Sequence, residues 1–130
     1  MSLLHPETGE RIFLSVCTSM LNEFRNSAGQ LRAFEVRREY TSFGVLCTSL
    51  AKCHGVQFQG IKGAMWHPRP ARFVFRGHSF QVAIPFADVW VGPIEPGDTH
   101  SALKELLDFV KYNVLRHRFS LHRSHYVSNA

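Results

Sequence analysis

The sequence contains few cysteines and no long apolar run, and both shortages exclude classes of protein. Its three cysteines, Cys17, Cys47 and Cys53, form an odd and sparse set, which argues against a disulfide framework and for reduced thiols. No stretch approaches the roughly twenty apolar residues that span a bilayer. The first residues also lack the charged flank and apolar core of a secretory signal. We therefore expect a cytoplasmic protein without a membrane partner.

Acidic residues are absent from a long central part of the chain. No carboxylate lies between Tyr40 and Ala87, a range that holds five lysines and arginines. Residues 88–108 then hold five carboxylates against one lysine, and residues 109–130 hold four basic residues and no acid. The formal net charge is +5. Segregation of this kind favours an anionic partner such as nucleic acid, unless folding places the acidic block beside a basic one.

Motifs of catalysis are also missing. The chain has no G-x-S-x-G elbow, no closely spaced carboxylate pair and no phosphate-binding glycine loop. We therefore expect neither catalysis nor a cofactor. A small pocketed enzyme stays open as an alternative, and its general base would be a histidine. The candidates for that chemistry are His67, His78, His100 and Asp88.

Two groups of side chains are candidates for metal binding. Cys47 and Cys53 have five residues between them, with His54 next, and this spacing differs from the pairs of ligands typical of zinc sites. Both cysteines also occupy apolar positions of a helical pattern. The histidines near the C-terminus, His117, His122 and His125, share a face only if a helix continues that far. We expect no metal.

The composition is that of a folded domain rich in phenylalanine. Hydrophobic residues make up 45% of the 130 residues, and eleven phenylalanines outnumber three tyrosines and two tryptophans. A chain of this length can bury about two thirds of its unfolded surface. We therefore predict a single domain over residues 1–130, in which residues 122–130 form a loosely ordered tail because they lack periodicity.

Apolar periodicity predicts an α+β domain. One helix covers about residues 7–27 and stops at Gly29, a second begins after Thr41 or Ser42, and a third runs from Asp98 or Thr99 to about Arg118. Alternating segments predict strands, and on one of them Phe80, Val82, Ile84 and Phe86 share the core face. The order is α-β-α-β-β-β-β-α. Strands outnumber crossover helices in the second half, which favours an antiparallel or mixed sheet of about four to five strands with helices on one face.

Binding candidates cluster in the acid-free part of the chain. The segment MWHPRPARFVFRGH combines aromatic and basic residues, the pattern that single-stranded nucleic acid requires. No recognisable nucleic-acid reader motif accompanies it. The ligand-binding candidates are Trp66, Arg69, Arg72, Arg76 and Trp90.

The leading interpretation is a small non-catalytic binding or interaction module that forms a homodimer. The segment VAIPFADVWVGP presents apolar residues on both faces of a strand, which is typical of a buried sheet or a dimer interface. Two alternatives remain. The chain could associate with nucleic acid through the basic residues of 62–78 and the C-terminal tail, or it could be the small enzyme described above.

Overall fold

The computed structural model describes residues 19–59 and 70–116, which form six strands, two α-helices and a π-helical turn. In chain order these are β1 (Leu21–Arg25), β2 (Leu31–Val36), α1 (Phe43–Ala51), β3 (Gln57–Gln59), β4 (Ala71–Phe75), β5 (His78–Ala83), β6 (Val89–Pro93), α2 (His100–Val110) and the π-helical turn Lys111–Leu115. The strands lie in one sheet in the order β1-β2-β6-β5-β4-β3, and all neighbours are antiparallel. The predicted α+β class is confirmed, with six strands rather than four to five.

The sixth strand, β1, lies where the sequence predicts the second half of a helix. Residues 21–25 pair with β2, with Leu21 opposite Val36, so the prediction of a helix over 7–27 is wrong for this part. Asn26 Oδ1 accepts hydrogen bonds from two backbone amides of the β1–β2 loop. Gly29 has a φ of +80° in this hairpin loop and does not end a helix. Residues 7–18 of the predicted helix lie outside the described residues.

Helix α1 begins as the sequence predicts. Ser42 is the N-cap, and its Oγ accepts a hydrogen bond from the Val45 amide at 3.2 Å, which satisfies one of the free donors of the first turn. The buried side of the helix carries Phe43, Leu46, Cys47 and Leu50. This stripe faces the sheet.

The β4–β5 hairpin turns at Arg76 and Gly77, both of which have positive φ, as a two-residue type I′ turn requires. The following strand is shorter than its apolar pattern suggests. Phe80 and Val82 are buried as predicted, but Ile84 and Phe86 are exposed because β5 ends at Ala83. Pro85 has no amide hydrogen to donate to the ladder, which is consistent with the strand ending there.

Helix α2 and the π-helical turn cover one face of the sheet together with α1. Asp98 Oδ1 accepts a hydrogen bond from the His100 amide, whereas the side chain at the N-cap position, Thr99, makes no capping bond. Neither helix within 19–59 and 70–116 is long and apolar enough to cross a membrane.

Cross-strand register divides the sheet into two faces, because directly opposite residues share a face and neighbours along a strand alternate. The inner face, which the helices cover, carries Phe34, Phe73, Phe80, Val82 and Val91, all fully buried. The outer face carries Phe24, Glu35, Arg72, Gln81, Ala83, Trp90 and Gly92. Among residues 19–59 and 70–116, these five fully buried strand residues therefore place the hydrophobic core on the inner side of the sheet.

Candidate functional site

A groove of about 410 Å³ lies on the outer face beside the loop that joins β5 to β6. Its lining residues are Phe24, Glu35, Gln81, Ala83, Pro85, Phe86 and Trp90. They come from β1, β2, β6 and β5, which are adjacent in the sheet, and from the loop between β5 and β6. Only Glu35 and Gln81 contribute polar side chains, so the groove is apolar with a few polar groups, the composition typical of a binding surface.

Trp90 forms the floor of this groove, and Gly92 makes its position possible. The two residues lie two positions apart on β6 and therefore share the outer face. A Cβ atom at position 92 would overlap the indole ring, so the ring lies along the strand over the glycine. The sequence identifies Trp90 as a candidate but does not single out Gly92. The two-residue spacing of tryptophan and glycine on a strand is the signal that could have identified it.

Large apolar side chains beside the groove are exposed. Phe86 is 96% exposed and Phe24 is 42% exposed. Ile84, in the same loop as Phe86, is also exposed. Scattered exposed apolar residues are normal on a protein surface, but a contiguous group around a groove indicates an interaction site.

Opposite charges lie on the outer face, on the two sides of the central strands β6 and β5. Glu35 belongs to β2, and its Oε1 accepts a hydrogen bond from Asn22 Nδ2 at 2.9 Å. Arg72 belongs to β4, on the other side of the central strands β5 and β6, and is exposed. Among residues 19–59 and 70–116, Arg72 makes no ion pair. Its charge is therefore available to a partner.

The structure does not bring His100 and Asp88 together. The Nδ1 atom of His100 accepts a hydrogen bond from the Leu31 amide at 2.8 Å, at the start of β2. Asp88 Oδ1 accepts one from the Arg38 amide at 3.0 Å, beyond the end of β2. The strand between them has six residues, which span roughly 20 Å. Each of these side chains accepts a hydrogen bond from a backbone amide. The two side chains are too far apart to act as one catalytic pair.

His78 is also remote from Asp88. It begins β5 opposite Phe75 and packs edge-on against Phe80, with ring centroids 6.3 Å apart. Asp88 lies beside the other end of this strand, immediately before β6. The remaining histidine candidate, His67, lies outside the described residues.

The basic candidates point in different directions. Arg76 forms an ion pair with Glu105 of α2 at 3.1 Å, and its guanidinium lies 5.3 Å from the centre of the Phe75 ring. Arg72 instead lies on the outer face. These two arginines therefore do not form one basic surface. Trp66, Arg69 and the tail 122–130 lie outside the described residues.

The described thiols are protonated at neutral pH. Burial raises the pKa of the Cys47 thiol to about 12. Burial also raises the pKa of Cys53, the Glu105 carboxylate raises it further, and Arg76 opposes the shift. A thiol is a weak nucleophile and a weak metal ligand until it ionises. Within 19–59 and 70–116, no group of three or more histidines, cysteines or carboxylates could hold a metal ion.

Comparison with known proteins gives no relative for this chain. No protein-family model, no curated protein and no solved structure matches it.

Proposed function

We propose that this chain is a non-catalytic interaction module that binds a protein surface through the groove on its outer face. The observation that carries the proposal is the 96% exposure of Phe86 beside a groove with Trp90 as its floor. Tryptophan and other aromatic residues dominate the binding energy of protein interfaces when a partner excludes water from them. An aromatic centre next to polar groups such as Glu35 and Arg72 also matches the usual arrangement of core and rim.

Two observations favour a protein partner over the alternatives. The histidine and aspartate candidates that are described lie at opposite ends of the sheet, which argues against a catalytic centre. Arg76 is already paired with Glu105 and faces away from Arg72, which argues against a basic nucleic-acid surface.

The free thiols Cys47 and Cys53 are consistent with a reducing compartment, so we propose the cytoplasm as the location.

Binding of the neutral dye Nile red tests this proposal, because its fluorescence rises in apolar sites. Phe86→Ser and Phe24→Ser should each reduce the fluorescence increase, measured at the lowest workable protein concentration so that the groove is free. Val45→Ser is the matched control, since Val45 is 43% exposed on α1, away from the groove. Equal dye binding by the groove variants and the control, with all variants folded by circular dichroism, would contradict the proposal.

A further inference from the structure

We infer that the partner of the outer face is a second copy of this chain, packed face to face about a two-fold axis. The inference rests on the proposed function, because it uses the same groove, and it identifies the occupant. Its basis is that the outer face carries complementary features at symmetric positions. A two-fold dimer needs such self-complementarity, because each contact occurs twice with the roles of the copies exchanged.

The first complementary feature is the pair of charges. Strands β5 and β6 are the two central strands of the sheet, β2 lies next to β6, and β4 lies next to β5. Glu35 on β2 and Arg72 on β4 are therefore equally far from the line between β5 and β6. Along the strands they are offset by two residues, because Glu35 lies opposite Trp90 and Arg72 lies in the row of Gly92. This step is about 7 Å.

A two-fold axis along this central line places β2 of one copy over β4 of the other. Stacked sheets lie about 10 Å apart, a gap that side chains from both faces fill. Each Arg72 then reaches towards Glu35 of the other copy, and two identical ion pairs form. Within one copy the two side chains cannot meet, because β6 and β5 lie between their strands.

The second complementary feature is the exposed phenylalanine beside the groove. An axis parallel to the strands brings the two β5–β6 loops to the same end of the dimer. Phe86 of each copy then lies at the mouth of the groove of the other copy. Ala83 has no bulky side chain, which leaves room for an entering ring beside Trp90. Burial of Phe86 removes the largest described apolar exposure from water.

Charge reversal tests this arrangement, with the dimer measured by sedimentation equilibrium. The wild-type chain should dimerise at micromolar concentration. Glu35→Arg and Arg72→Glu should each raise the dimer Kd at least about tenfold, because each places like charges at both contacts. A mixture of the two variants should form a heterodimer with Kd near that of the wild type, because both of its contacts then join opposite charges.

The matched controls are Asp108→Arg and Lys104→Glu, which reverse exposed charges on α2 and should leave the Kd unchanged. A wild-type chain that stays monomeric, a dimer insensitive to the reversals, or a mixture no tighter than its components would each overturn the inference. If the groove binds a different partner, the dimer test fails but Nile red binding still depends on Phe86. The two proposals can therefore fail separately.

Discussion

The inner and outer faces of the sheet are made by the same alternating strands, but they differ in what covers them. On the inner face, Phe34, Phe80 and Val82 are fully buried beneath α1 and α2. On the outer face, Phe24 and Phe86 remain exposed around Trp90. The chain has more apolar strand residues than its two described helices cover. The uncovered remainder is concentrated at one groove, which is the basis of the proposed function.

The same substitution at two adjacent residues of β5 is the strongest test of which residues lie on the covered face and which lie on the outer face. Val82→Asp should prevent soluble folding, because an unpaired buried charge costs several kcal/mol, on the order of the whole stability of a domain. Ala83→Asp introduces the same charge one residue later, on the outer face, and should fold. Soluble expression and thermal melting distinguish the two variants. A cooperatively melting Val82→Asp protein would show that the assignment of faces is wrong.

Substitution at Gly92 tests the contact that shapes the outer face. Gly92→Ala places a methyl group where the Trp90 indole lies, and we expect a loss of about 1–3 kcal/mol in the free energy of unfolding, the usual range for overpacking. The double variant Trp90→Leu, Gly92→Ala should lose less than the sum of the two single changes. Denaturant unfolding measures this coupling. Additive losses would indicate that the indole does not lie on Gly92.

His100 links α2 to β2 at the edge of the covered side. His100→Ala removes the acceptor of the Leu31 amide, and leaving such a buried donor unsatisfied typically costs about 1–3 kcal/mol. The control is His54→Ala, because His54 is exposed. Chemical denaturation should therefore show a lower unfolding free energy for the first variant alone. Equal stabilities would mean that this hydrogen bond contributes nothing.

Alkaline pH should lower the free energy of unfolding, because Cys47 is buried on the covered side of the sheet. The thiol has a pKa of 9.0 in the unfolded chain and about 12 in the folded protein, so folding favours the protonated form. The contribution of the protonated Cys47 thiol to the free energy of unfolding is fully present below pH 9. It is lost as the pH rises from 9 towards 12. Cys47→Ala should show a smaller fall in unfolding free energy over this range. Parallel curves for the two proteins would rule out this contribution.

Phe86→Ser should have the smallest effect on stability. A fully solvated side chain contributes little to the folded state, and surface changes usually stay within about 0.5 kcal/mol. The same substitution should reduce both Nile red binding and dimerisation. A large drop in melting temperature would instead show that Phe86 packs within its own chain.

Much of the fold was predictable from local patterns. Side-chain chemistry and spacing explain the cap of α1 at Ser42, the β4–β5 turn at Gly77 and the buried stripe of α2. The same patterns were wrong at β1, where Leu21 and Phe24 fit a helical spacing but the segment pairs with β2. They were also wrong beyond Ala83, because Ile84 and Phe86 continue the alternation after the strand has ended.

The candidate site was predictable only in part. Trp90 and Arg72 were among the binding candidates, and the tertiary structure places both on the outer face. Phe24 and Glu35 were not candidates. They belong to distant strands, and nothing in their local sequence indicates that they lie near Trp90.

The sequence by itself determined the α+β class, the N-cap of α1 and the hairpin between β4 and β5. These features depend on interactions between residues that are close along the chain. The tertiary structure decided which face of the sheet the helices cover and which aromatic residues stay exposed. It also separated His100 from Asp88 by the length of β2. The reason is physical, because strand order and register bring distant segments together, and one alternating pattern can be covered by helices on either face.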